Sequence, residues 1–172
     1  DDWVEFVCPS RQGYRQKVIE NLIEMVQELD PDGISLDFIR HFVFWEIVVP
    51  NTSPDTIPNS CFDHSCLTQF QLETEIKIPE SKSLPAQSAK WIEENYLEEW
   101  VNWKCQLITN MISEIVTEVK KVKPGLIINT HILPWRQGDY NNAIRRVAGQ
   151  DVTGIANFAN YLSPMTYSHM VK

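Results

Sequence analysis

Asp37 is the residue whose type and position most directly suggest chemistry. It lies towards the end of a short run, residues 34–39, that has the apolar, β-rich composition of a strand and carries this one carboxylate. Ligands of parallel sheets bind where the strands end, and a carboxylate held there can act as nucleophile or general base. Arg40 lies three residues further on, and its positive charge would favour the ionised carboxylate. The alternative is a salt bridge with no chemical role.

Glu46 is the candidate for a second catalytic carboxyl group. It follows the aromatic residues Phe42, Phe44 and Trp45, and apolar surroundings keep a carboxyl group protonated, as a general acid requires. A solvated loop glutamate is the alternative. Asp139 and Asp151 are weaker candidates, and Asp151 could instead cap a helix that begins at residue 152.

Several side chains near the predicted strand ends could line a substrate pocket. Histidines there could donate hydrogen bonds to hydroxyl groups, and aromatic or guanidinium groups could form a stacking platform; structural packing is the alternative for each. The expected substrate-binding residues are Arg40, Trp45, His131, Trp135, Arg136, Tyr167 and His169.

Four cysteines, Cys8, Cys61, Cys66 and Cys105, are too few for a disulfide scaffold. A metal site built from Cys61, Asp63, His64 and Cys66 matches no standard zinc spacing, so a pair of free thiols is the plainer interpretation and no metal is expected. The chain has neither a Walker loop nor a nucleophile elbow, and no cofactor is expected.

Composition narrows the range of partners. The 172 residues carry a net charge of −8, which disfavours nucleic acids and anionic membranes, whereas a neutral saccharide is compatible with it. No apolar run approaches the roughly 20 residues that a membrane span needs. An extracytoplasmic location is slightly favoured, and the oligomeric state is left open.

The order of elements predicts a parallel sheet. Apolar periodicity predicts helices at 14–29, 64–72, 88–122, 139–147 and 151–159, and strands at 34–39, 126–131 and 161–167, with a possible fourth at 3–7. Because each strand ends in polar residues, we expect part of a (β/α)₈ barrel, about its strands three to six. Residues 1–172 would then be the central part of one domain, with a long loop insertion at about 41–87.

Three segments resemble motifs of bacterial glycoside-hydrolase barrels. Residues 32–40, DGISLDFIR, resemble a fourth-strand motif DGI-x-LD-[FY]-x-R. Gly149-Gln150-Asp151, followed by residues 161–167, resembles a GQD…YxSPMxY segment, and residues 61–70 resemble a CxCxxCLxxF loop with one cysteine missing. In the related α-amylase and α-galactosidase groups the aspartate that ends the strand is the nucleophile, so the resemblance implies that role for Asp37.

The sequence departs from these enzymes at three places. Ser35 stands where the amylase-type strand has arginine, Thr130-His131 where it has the acidic glutamate, and residues 167–169 where the galactosidase-type acid would lie. The expected activity is that of a glycoside hydrolase acting on an oligo- or polysaccharide. The alternatives are a barrel that binds carbohydrate without cleaving it and a metal-dependent hydrolase of the deacetylase type.

Overall fold

The structure is a computed structural model that describes residues 7–166. Within them the chain forms six α-helices and three β-strands. In chain order these are α1 (Gln12–Leu29), β1 (Gly33–Leu36), α2 (His64–Thr74), α3 (Pro85–Asn95), α4 (Leu97–Val122), β2 (Ile127–Ile132), α5 (Ala143–Arg146), α6 (Val152–Ala156) and β3 (Tyr161–Pro164). Three short 3₁₀ helices lie at Trp45–Ile47, Pro54–Thr56 and Glu80–Lys82.

The three strands form one parallel sheet in the order β1-β2-β3. Leu36 of β1 is aligned with Thr130 of β2, and Thr130 is aligned with Leu162 of β3. The carboxyl ends of all three strands therefore lie at the same edge of the sheet. The predicted strands and their parallel arrangement are confirmed.

One face of the sheet forms the main hydrophobic core with two helices. Ile34, Leu36 and Ile128 point into this core, where they meet the apolar stripes of α1 and α4. The buried residues of this stripe on α4 recur at helical spacing; they are Ile108, Met111, Ile112, Ile115 and Val119. Full burial of each such side chain stabilises the fold by about 1.5–3 kcal/mol.

The strand residues of the opposite face, among them Gly33, Ser35, Ile127 and Tyr161, are exposed within the described part of the chain. Parallel sheets usually have both faces covered. Within residues 7–166 one face is packed and the other, the open face, is exposed or half-buried.

The expected (β/α)₈ barrel is wrong. Residues 7–166 form a mixed α/β fold with a single three-stranded parallel sheet, in which β1 and β2 are joined by a long crossover that contains α2, α3 and α4. Polar residues at strand ends are common to all parallel sheets, so that pattern did not discriminate a barrel from an open sheet. The possible strand at 3–7 lies almost entirely outside the described residues.

The segment predicted as a loop insertion at 41–87 is partly helical. It holds α2, close to the predicted helix at 64–72, together with the start of α3. Phe70 of α2 packs edge-on against Trp100 and Trp103 of α4, at ring-centroid distances of 4.9 and 5.6 Å. These rings are the centre of a second hydrophobic cluster that also includes Leu67, Ile92 and Leu107.

The helix predicted at 88–122 is two helices. They meet at Tyr96, whose backbone leaves the helical region with φ −143° and ψ 35°. Glu98 and Glu99 then lie in the first turn of α4, and Lys120 and Lys121 lie in its last turn. Both placements match the helix dipole, which favours negative charge at the N-terminus and positive charge at the C-terminus. No helix within residues 7–166 has the length and apolarity needed to cross a bilayer.

Candidate functional site

Asp37 follows β1 directly and is exposed at the carboxyl edge of the sheet. Its Oδ1 accepts a hydrogen bond from the backbone N–H of Phe38, at 2.7 Å. Phe38 has a φ of 56°, in the left-handed region that side chains rarely adopt. The chain thus turns sharply after the strand, and the carboxylate is fixed by one oxygen at that turn.

A row of polar side chains crosses the open face beside Asp37. The amide of Asn129 donates to Ser35 Oγ, and Ser163 Oγ donates to the Asn129 carbonyl, both at 2.8 Å. His131 lies two residues beyond Asn129, on the same side of β2 by strand alternation, and it is half-buried. All three strands therefore contribute hydrogen-bonding groups to this face.

Gln150 links the segment after β1 to the end of β2 through hydrogen bonds of its side-chain amide. It is 1% exposed. Its amide donates to the backbone carbonyls of Ile39 and His131, at 3.3 and 3.1 Å, and its carbonyl accepts from Leu133 N–H at 2.9 Å. One side chain thus satisfies three backbone groups, one in the segment after β1, one near the end of β2 and one directly after β2.

The residue before Gln150 is Gly149, and close packing against His41 explains why it is glycine. Gly149 has a φ of +68°, and a Cβ there would lie 2.5 Å from His41 Cδ2. His41 is fully buried, its backbone N–H donates to Ala148 O, and its Nε2 lies 3.3 Å from Lys104 O. Burial, and then the positive charge of Lys104, lower the pKa of His41 to about 3. The imidazole is therefore neutral.

Lys104 is a second buried group beneath this region. Its ammonium donates to the carbonyls of Arg146 and Val147, at 2.7 and 3.4 Å. Burial lowers the pKa of Lys104 to about 8. Neither His41 nor Lys104 had a sequence signal, because each lies among residues whose burial depends on long-range packing.

The other predicted substrate-binding residues lie in varied surroundings. Trp45 and Trp135 are 3% and 9% exposed and belong to a third hydrophobic cluster, so their faces are not presented for stacking. Arg40 is buried with its guanidinium 4.6 Å from the Phe38 ring centroid, and Arg136 is exposed. Tyr167 and His169 lie outside the described residues.

The candidate acids are not all equivalent. Glu46 is exposed on the 3₁₀ helix Trp45–Ile47, so the apolar surroundings expected to keep it protonated are not formed by the described residues. Asp139 Oδ2 accepts from Arg136 N–H at 2.7 Å, and Asp151 pairs with Arg145 at 2.9 Å. Two of the three carboxylates are thus engaged in structural contacts, and Glu46 is the one on an exposed surface.

A cluster of three cysteines forms a separate feature. The sulfurs of Cys8, Cys61 and Cys66 lie 2.8, 3.1 and 3.4 Å apart, and all three residues are free thiols. Cys8 and Cys61 border a cavity of about 170 Å³ that is also lined by Arg40, His41 and Asp63. Hydrogen bonds from Cys61 and Cys66 lower the pKa of the Cys8 thiol. Hydrogen bonds with Cys66 and Cys8 raise the pKa of the Cys61 thiol.

Sequence reasoning missed Cys8, which lies 53 residues before Cys61. The spacing of Cys61, Asp63 and Cys66 was visible, but only the folded chain brings the third thiol to them. Within residues 7–166, the sulfurs of these three cysteines lie close enough together to hold one metal ion.

Comparisons of the chain with family models, with curated proteins and with solved structures find no match.

Proposed function

We propose that the chain is a glycoside hydrolase that acts on an oligo- or polysaccharide, with Asp37 as nucleophile or general base. The observation that carries the proposal is the position of Asp37. It is an exposed carboxylate at the carboxyl edge of a parallel sheet, on a turn fixed by its own hydrogen bond to Phe38 N–H. Ligands of such sheets bind at this edge.

The open face beside Asp37 suits a neutral, hydroxyl-rich ligand. Ser35, Asn129 and Ser163 offer donors and acceptors but no charge, and His131 adds an imidazole at the same edge. The net charge of −8 does not oppose a neutral saccharide. The resemblance of residues 32–40 to the fourth-strand motif of glycoside hydrolases supports the same role.

Glu46 is the proposed general acid. Asp139 and Asp151 hold structural contacts, which leaves Glu46 among the three candidates. Glycoside hydrolysis needs two carboxyl groups about 5–5.5 Å apart for retention of configuration, or about 6.5–9.5 Å apart for inversion. The proposal therefore requires the carboxyl groups of Asp37 and Glu46 to lie at one of these separations when a saccharide is bound.

A second candidate function is carbohydrate binding without cleavage. It is favoured by the structural contacts of Asp139 and Asp151, which remove two of the three candidates for the second catalytic carboxyl group. Asp37 would then accept hydrogen bonds from sugar hydroxyls and would not attack carbon.

The test is turnover of a panel of glycans by the wild type, Asp37→Asn and Asp32→Asn. Asp32 is an exposed carboxylate at the opposite end of β1, so its variant is the matched control. Loss of a catalytic carboxylate lowers turnover by about 100-fold or more, with binding retained. We expect this loss for Asp37→Asn and wild-type turnover for Asp32→Asn.

Equal turnover by Asp37→Asn and the wild type would remove Asp37 from the mechanism. Binding of a glycan by the wild type without turnover of any substrate would establish the second candidate function in place of the first. Glu46→Gln adds a test of the acid: its turnover should fall more for poor leaving groups than for activated aryl glycosides, which need no proton.

A further inference from the structure

We propose that Cys8, Cys61 and Cys66 form a structural zinc site whose fourth ligand is the carboxylate of Asp63. This site lies outside the proposed catalytic groups and does not depend on the proposed function. Its basis is the convergence of three thiols from two distant parts of the chain on one point.

The sulfurs are close enough to share one ion. Their separations are 2.8 Å between Cys8 and Cys61, 3.1 Å between Cys8 and Cys66, and 3.4 Å between Cys61 and Cys66. A tetrahedral zinc with bonds of about 2.3 Å holds its sulfurs roughly 3.8 Å apart. Each pair therefore needs to spread by between about 0.4 and 1 Å, which side-chain rotation can supply.

Local structure positions two of the thiols. Cys66 is the third residue of α2, so its thiol lies at the N-terminus of that helix. Cys61 lies five residues earlier and has a φ of 78°, in the left-handed region. Cys8 comes from the segment before α1, and Ser10 Oγ lies 3.1 Å from its sulfur and 3.4 Å from that of Cys66.

Asp63 is the carboxylate we assign to the fourth position, because it lies beside Cys66 at the start of α2. Its Oδ1 caps α2 by accepting from Ser65 N–H and Cys66 N–H, at 2.8 and 3.0 Å. Its Oδ2 lies 3.5 Å from Cys66 Sγ. Asp63 is not among the ligand atoms that lie within 4.8 Å of one another, so its side chain would have to rotate for Oδ2 to reach an ion shared by the three sulfurs.

Thiolate ligands select zinc among the common divalent cations, and a site with four protein ligands is structural because no position remains for substrate. Cys8 and Cys61 both pack at the edge of the cluster formed by α2, α3 and α4. A zinc ion here would fasten the segment before α1 to the N-terminus of α2. The chemical rival is a disulfide, which would use two of the sulfurs and leave the third free.

The test is metal binding by the reduced full chain, with Cys105→Ser as the matched control. Cys105 is a buried thiol whose Sγ lies 3.8 Å from Arg145 O, away from the cluster. We expect one Zn²⁺ per chain by elemental analysis, and thiolate-to-metal absorption with a tetrahedral spectrum when Co²⁺ replaces zinc. Serine variants of Cys8, Cys61 and Cys66 should each bind Zn²⁺ at least tenfold more weakly, and Cys105→Ser should bind it as the wild type does.

Asp63→Asn tests the fourth ligand separately, since the amide oxygen can still cap α2. We expect at least tenfold weaker Zn²⁺ binding and an altered Co²⁺ spectrum. Wild-type affinity in Asp63→Asn would overturn the assignment of Asp63.

A further measurement does not depend on the folding of any variant. In the wild type, Zn²⁺ should protect Cys8, Cys61 and Cys66 from alkylation, and a chelator should remove that protection while leaving Cys105 unchanged. Absence of stoichiometric zinc in the reduced chain, or a disulfide between two of the three cysteines in the chain purified without reductant, would overturn the proposal.

Discussion

Gln150 shows how much one polar side chain can determine around the candidate site. It is buried, and both ends of its amide are used by backbone groups of the segment after β1 and of the end of β2 with the residue that follows it. Asp37 lies in the first of these segments, and His131 lies at the end of β2. The presence of Gly149 and Gln150 side by side therefore has a physical reason: the glycine makes room for His41, and the glutamine holds the strand ends.

Replacement of Gln150 by alanine should lower the free energy of unfolding by about 2–4 kcal/mol, because buried backbone groups lose their partners. Gln150→Glu should cost at least as much, since it removes the donor and buries a carboxyl group. Urea denaturation measures both. Gln106→Ala, which removes an exposed side chain on α4 bonded to Asn110, is the control and should change stability by less than about 0.5 kcal/mol. Equal effects at the two positions would contradict the role of Gln150.

Lys104 gives the chain a stability that depends on pH. Burial lowers its pKa from 10.5 to about 8. The unfolded chain therefore holds this proton between pH 8 and 10.5, where the folded chain has released it. Stability from this group is fully present above pH 10.5 and is lost as the pH falls through about 8.

The prediction is a change in the stability difference between the wild type and Lys104→Met. From pH 7.5 to pH 10 that difference should move by about 2 kcal/mol in favour of the wild type, as seen by denaturant unfolding at each pH. Lys90→Met removes an exposed lysine of α3 that pairs with Glu94, and its difference from the wild type should stay nearly constant. A constant difference for Lys104→Met would show that its ammonium is not desolvated.

At the scale of elements, the sequence predicted most of what local patterns can encode. The helix α1 was found because its apolar residues repeat about every 3.6 residues. The strands β1 and β2 were found because each is a short apolar run. The boundary between α3 and α4 was missed because Tyr96 is neither glycine nor proline and gives no signal for a break. The barrel was expected in error because closure of a sheet depends on contacts that no short segment contains.

The candidate sites also contain some residues that the sequence could identify and others that only the folded chain brings together. Asp37 was identifiable as a carboxylate at a strand end, because the strand is encoded by a short local run of residues. The bridging role of Asn129 depends on the register of all three strands, and the thiol cluster needs Cys8 to meet α2 across more than 50 residues. Trp45 and Trp135 were assigned to a pocket because aromatic residues serve both binding and packing, and only tertiary structure separates the two.

At the scale of the whole molecule, α4 connects two hydrophobic clusters. Its first half supplies Trp100, Trp103 and Leu107 to the cluster with α2 and α3, and its second half supplies the stripe that covers the sheet. Lys104 adds hydrogen bonds to the carbonyls that precede Ala148. Because one continuous helix serves both clusters, the described residues should unfold as a single cooperative unit.

Ile112→Ala and Phe70→Ala test that cooperativity from opposite ends. Both side chains are fully buried, Ile112 against the sheet and Phe70 between α2 and α4, so their removal should cost about 2–5 kcal/mol each. Hydrogen exchange should then show the slowest amides of α2 and of β2 losing protection by the same amount in both variants, because α4 transmits the loss. Leu72→Ala, on the exposed side of α2, should leave both sets unchanged. If Ile112→Ala lowered protection in β2 alone, the helix would be joining two separately stable units, and the thiol cluster would then belong to a unit that unfolds independently of the sheet.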